Sequence, residues 1–201
     1  MESRYTVAKT SVIDPSVDSP EWLSAQIGEI ATERWEGYHK APKTTFKILR
    51  GPEGISLLLH TDEKNLRSEC KVEGGHVCDD SCMEFFFKPD VLDVNYMNFE
   101  FNPDGVLNLS IGAGRAGRTK IMDDRRIFNI VSIANDGDWT LKFYIPDSFL
   151  FSHFKTLSPI CRANLYKCGN LTDHKHYATW SEIEVENPDY HIPDFFGKLV
   201  F

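Results

Sequence analysis

The chain has 201 residues, 41% hydrophobic, 26% charged and 12% aromatic, with a formal charge of −8 and a pI near 5.3. This predicts one domain with a proper core, too apolar for disorder and too acidic to gather a phosphate backbone or an anionic membrane surface. Neither nucleic acid nor membrane is therefore expected as a partner, and without a basic, apolar leader the chain as written is expected to be cytoplasmic, or secreted if a leader has been removed.

In chain order, the first 18 residues are polar and predict a loose arm, with one domain over 19–201. A helical turn is expected at 20–25, after "DSP", with Trp22 plugged into the core. Strands follow at 26–31, 44–50 and 54–61. The irregular stretch 62–80 is long enough to be functional or mobile. Further strands are expected at 82–88, 95–101, 106–111, 127–134, 139–145, 160–167, 177–183 and 197–201, with a helix at 147–154. Short β-branched and aromatic runs between regular turn signals spell an all-β fold. The expectation is an antiparallel β-sandwich or jelly roll with one or two short helices.

Side chains on a strand alternate between faces. In "SCMEFFFKPD" this puts Cys82, Glu84, Phe86 and Lys88 on one side and Met83, Phe85 and Phe87 on the other. In "YMNFEFNPDG" it separates Met97, Phe99 and Phe101 from Asn98, Glu100 and Asn102. If the two strands are neighbours, Glu84 and Glu100 share a sheet surface with the two asparagines. "CRANLYKC" adds Arg162, Asn164 and Tyr166 at the same period.

Several local signals have a plain explanation. "GAGRAG" at 112–117 fits the dinucleotide fingerprint, but a strand rather than a helix follows it, so a hairpin loop with Arg115 and Arg118 at its tip is expected. Cys70, His76, Cys78 and Cys82 invite zinc, yet no C-x-x-C knuckle is present and buried thiols are the commoner outcome. The two histidines of "DHKH" fit a solvated loop. No cofactor is expected; calcium is the one ion for which the loops offer oxygen ligands, through Asp79, Asp80, Asp136 and Asp138. The odd count of five cysteines suits reduced thiols. No G-x-S-x-G nucleophile elbow occurs. Trp139 is assigned to the core, whereas Trp35, Trp180 and Tyr190 sit near loop clusters where a ring can meet a ligand.

The order of "DSCMEFFFKPD", "YMNFEFNPDG", "WTLKFYIP" and the closing "YATWSEIEVENPDYHIPDFFGKLVF" resembles the family nine carbohydrate-binding modules over roughly residues 20–201. These are β-sandwich domains often attached to xylanases. The Trp-Ser followed by P-x-x-F-G carries most of the likeness. The resemblance implies ligand contact by Glu84, Asn187 and Tyr190, and by Asn164 or Tyr166 on the strand before the last hairpin. It also marks two departures: the second clamping ring of the family meets Val77 and Cys78, and a family arginine meets Glu100.

The expected function is thus non-catalytic binding of a plant-type glycan such as xylan or glucan on a concave sheet face. Glu84, Asn98, Glu100, Arg115, Asn164, Tyr166, Trp180, Asn187 and Tyr190 are the candidate contacts. Net gains of about 0.5 to 1.5 kcal/mol per hydrogen bond predict weak affinity, roughly −4 to −6 kcal/mol. One alternative is a glycoside hydrolase using Glu84 and Glu100 as its paired carboxylates. Another is a protein-interaction scaffold whose glutamates are paired with arginines such as Arg162 or Arg115.

Overall fold

The structure, a computed structural model, describes residues 3–201. The strands are β1 (Arg4–Thr6), β2 (Ala8–Lys9), β3 (Gly28–Glu29), β4 (Thr44–Arg50), β5 (Gly54–Thr61), β6 (Cys82–Lys88) and β7 (Tyr96–Phe101). They continue as β8 (Leu107–Gly112), β9 (Thr119–Lys120), β10 (Val131–Ala134), β11 (Trp139–Pro146), β12 (Ile160–Cys168), β13 (Tyr177–Thr179) and β14 (Gly197–Val200). One α-helix, α1 (Asp147–His153), follows β11. The larger sheet runs β1-β14-β12-β6-β7-β8-β9, with β13 also on β12; the smaller runs β10-β11-β5-β4-β2, with β3 on β4.

The two sheets bury their apolar alternates against each other. Phe85, Phe87, Phe99 and Phe101 of the larger sheet meet Leu57, Leu59, Leu141 and Phe143 of the smaller one. Phe143 stacks on Phe99 with ring centroids 5.8 Å apart. Each such side chain is worth about 1.5–3 kcal/mol when fully buried, so this layer is the main source of stability. It also fixes the register: a one-residue slip of β6 would bring Glu84 into the phenylalanine core.

The expected β-sandwich is present, with two parallel pairs at its edges. The supposed loose arm is the main correction. β1 pairs parallel with β14, and β2 parallel with β4, so the arm crosses from one sheet to the other. Tyr5 holds it there at 1% exposure. Its hydroxyl donates to the Gln26 carbonyl oxygen at 2.7 Å and accepts from the Ile48 amide at 2.9 Å. Elsewhere the expected strand 127–134 is cut by a 3-10 turn, Arg125–Phe128, which Asp124 caps and which Asn129 ends in the left-handed region at φ 43°. The expected turn near 20–25 is a 3-10 helix, Pro20–Leu23, with Trp22 buried.

Candidate functional site

The outer face of the larger sheet carries the polar alternates of the same strands. Glu84 stands centrally, opposite Glu100 on β7 and opposite Tyr166 on β12. Cys82 is paired across to Cys168. Loops carrying Trp35, Val77, Ile183, Tyr190 and Phe196 fold over this face and join Phe86, Tyr96 and Tyr166 in a second apolar cluster. They leave a cavity of about 180 Å³. Glu84, Glu100 and Cys168 form its floor, and Tyr177 and Tyr190 line it with their rings. Cys78, Asn170, Arg115, Pro188 and His191 complete its lining.

Glu84 is only 3% exposed, and Cys168 Sγ lies 3.1 Å from its Oε1. Burial raises its carboxyl well above the usual carboxylate range, with Cys168 and Glu100 adding to the effect. A proton therefore stays on this group where an exposed glutamate would have lost it. Glu100 is held differently. Its Oε1 accepts from Asn98 Nδ2 at 2.6 Å and its Oε2 from Asn108 Nδ2 at 2.9 Å. Burial still raises it, against these two donors and the Arg118 charge.

Behind Glu100, Arg118 Nε donates to Asn98 Oδ1 at 2.9 Å. The same guanidinium donates to the carbonyl oxygens of Gly112, Gly114, Tyr96 and Ser110, and lies 4.3 Å above the Tyr96 ring. One side chain thus ties the "GAGRAG" hairpin to β7. At the hairpin tip Arg115 donates through Nε and Nη2 to Asp189 Oδ1, at 3.1 and 2.9 Å. Asp189 also accepts from the His191 amide, so this contact fastens the loop that bears Tyr190.

Of the candidate contacts, Glu84, Glu100, Arg115 and Tyr190 line the cavity. The rest do not. Asn98 is buried behind Glu100, and Tyr166 lies beneath Tyr190. Asn164 is fully buried and holds Ser181, accepting from its amide and donating to its carbonyl oxygen. Trp180 packs edge-on against Phe46 in the core between the sheets, on the other side of β12. Asn187 is exposed and outside the cavity lining. Asn102 serves the 62–80 loop, donating to the Cys70 carbonyl oxygen and to Asp80.

The expected arginine partners of the glutamates also differ. Among the described residues neither Glu84 nor Glu100 forms an ion pair with an arginine; Arg115 binds Asp189, and Arg162 donates to the Phe196 carbonyl oxygen. The calcium candidates are dispersed in role. Asp80 is buried and accepts from the amides of Glu69 and Cys70, while Asp138 accepts from Asn135 in the hairpin turn before β11.

Sequence reasoning missed Cys168, Tyr177 and His191 as cavity residues. Cys168 was within reach, because it follows Asn164 and Tyr166 at period two.

A small, ring-lined cavity with convergent polar groups, here on the outer face of one sheet, is the usual form of a small-ligand site. The model of carbohydrate-binding family 9 matches residues 21–201, and the chain belongs to that family. Among solved structures it is similar to a Bacteroides uniformis protein described provisionally as carbohydrate-binding, at 27% identity and a TM-score of 0.89, over 100% of both chains. It is also similar in fold to a family 9 module of Caldicellulosiruptor kristjanssonii, solved with cellotriose and with glucose. The identity is 13% and the TM-score 0.69 in both cases, covering 98% of this chain and 93% or 95% of the other. No curated protein matches significantly. Among the described residues no helix is long and apolar enough to cross a membrane.

Proposed function

We propose that the domain binds one terminal unit of a gluco- or xylo-configured saccharide in this cavity, without cleaving it. The observation that carries this is the meeting of Glu84, Glu100 and the Tyr190 and Tyr177 rings in one small space. A pyranose has an apolar C–H face and a rim of hydroxyls, so it is recognised by a ring against that face and by donors and acceptors at its edge. A volume of about 180 Å³ is below the roughly 300–1,000 Å³ of pockets for drug-sized ligands, which favours one ring rather than a long chain segment.

The two tyrosine rings lie at 80° to each other, with centroids 6.2 Å apart. A parallel clamp is therefore replaced by a corner. Protonated Glu84 can donate to one sugar hydroxyl and accept from another. Glu100, whose two oxygens are each already bonded to an amide, acts as a fixed acceptor, and this occupancy argues against a nucleophile's role. Relatives solved with cellotriose and glucose suggest the probes.

Calorimetry with glucose, cello-oligosaccharides and xylo-oligosaccharides tests the proposal, with dissociation constants expected from high micromolar to millimolar, about −4 to −6 kcal/mol. Absence of heat and of any melting shift across that panel would overturn it.

A further inference from the structure

We infer that Cys82, Cys168 and Glu84 form a binding site for a thiophilic metal ion, zinc by preference, at the floor of the cavity. The three side chains come from two hydrogen-bonded neighbouring strands. Cys82 and Cys168 are direct partners across β6 and β12, and Glu84 follows Cys82 by two residues, on the same face. Their ligand atoms all lie within 4.8 Å of one another, and they are the one set of three or more such side chains so placed among the described residues.

The spacing fits coordination. Oε1 of Glu84 is 3.1 Å from Cys168 Sγ and 3.7 Å from Cys82 Sγ. Zinc bonds of about 2.3 Å to sulfur and 2.0 to 2.2 Å to oxygen, set tetrahedrally, require sulfur–oxygen separations of about 3.5 Å. The donors stand near that value on central strands packed on both faces, so little rearrangement is needed. Two sulfurs in a set of three select a soft or borderline ion over calcium or magnesium.

Access and a fourth ligand come from the cavity. Glu84 and Cys168 both face it, and Cys78 shares its wall, leaving a place for water or for the Cys78 sulfur. Uptake would release the two thiol protons and the proton held on Glu84 to solvent, with no change of oxidation state. The zinc site does not depend on the saccharide proposal, although the two share Glu84.

The test is a zinc titration of reduced, metal-free full chain against a chromogenic chelator, with no sugar present. One equivalent bound is expected, with cobalt giving the sulfur charge-transfer absorption of a thiolate site. Cys82→Ser and Cys168→Ser should each abolish stoichiometric uptake, while Cys70→Ser, outside the trio, retains it. Because either variant can fail to fold, the wild type supplies a second measurement: X-ray absorption of the zinc-loaded chain should show two sulfur neighbours at about 2.3 Å. Failure to bind one equivalent, uptake that survives both variants, or a Cys82–Cys168 disulfide formed without metal uptake by the reduced chain would each overturn the inference.

Discussion

Tyr166 and Tyr190 lie face to face, with ring centroids 4.0 Å apart and 6° between their planes. The Tyr166 hydroxyl donates to the Tyr190 carbonyl oxygen at 3.0 Å, and the Tyr190 hydroxyl donates to the Lys167 carbonyl oxygen at 3.2 Å. A strand residue thereby presents a loop residue to the cavity. Tyr166→Phe keeps the stacked ring and loses one hydrogen bond, so denaturant unfolding should register about 0.5–1.5 kcal/mol less stability. Tyr190→Ala removes the lining ring and should abolish measurable glycan binding by calorimetry. If Tyr190→Ala bound as tightly as wild type, the sugar would have to sit elsewhere.

Glu84→Gln replaces a group that is already uncharged. Its effect on stability should stay within about 1 kcal/mol, and because the amide also offers a donor and an acceptor, glycan affinity should stay within about tenfold of wild type by calorimetry; a larger loss would mean that Glu84 meets the sugar as a carboxylate. Wild-type protein should leave chromogenic glycosides intact. Release of chromophore, lost in Glu84→Gln, would instead establish a hydrolase.

Arg118 satisfies four carbonyl oxygens and the Asn98 side chain at once. Arg118→Ala should cost about 2–4 kcal/mol, since bonds from a charged donor are each worth about 1.5–3 kcal/mol and are not additive. Arg115→Ala should behave differently. Its pair with Asp189 is largely exposed, so the melting temperature should barely move. Glycan binding should weaken as the Tyr190 loop loosens. A large melting shift in Arg115→Ala, or none in Arg118→Ala, would reverse these roles.

His176 is 2% exposed, and burial, with the Lys167 charge adding, pushes its imidazole down to about 4. His191 is pushed down to about 3 by burial and then by Arg118 and Arg115. The unfolded chain protonates both near pH 6.5, so below that pH it binds more protons than the folded chain. Stability from the neutral imidazoles is full above pH 6.5 and is lost progressively as pH falls toward 4. At pH 5 the loss through His176 is about 2 kcal/mol. Urea unfolding at pH 7 and pH 5 should show a smaller acid loss in His176→Gln than in wild type. Parallel pH curves for the two would contradict this.

Long alternating strands were legible to within a residue. The strands 44–50, 54–61 and 82–88 coincide with β4, β5 and β6, because each has a heavily apolar face that permits one register only. The convergence of Glu84, Glu100 and Tyr190 was also within reach, from the period of two strands and the family likeness. Other features were hidden for physical reasons. Trp180 looked like a ligand ring, but faces alternate along β13 and the residue after it: Tyr177 meets the cavity, whereas Ala178 and Trp180 lie on the core side. Arg118 looked like a hairpin tip residue; its role depends on four carbonyl oxygens whose directions exist only once β7 and β8 have paired. β1 and β2 are too short to show a period, and their partners lie far along the chain.

Those two short strands bear on where a working fragment can be cut. The family match starts at residue 21, and a fragment begun there would lack the residues that cover β14 and the outer end of β4. Both uncapped strands would then offer free amide and carbonyl groups to other molecules. Such a shortened protein should be prone to associate in solution, and its poor behaviour would say nothing about whether the intact chain holds a sugar.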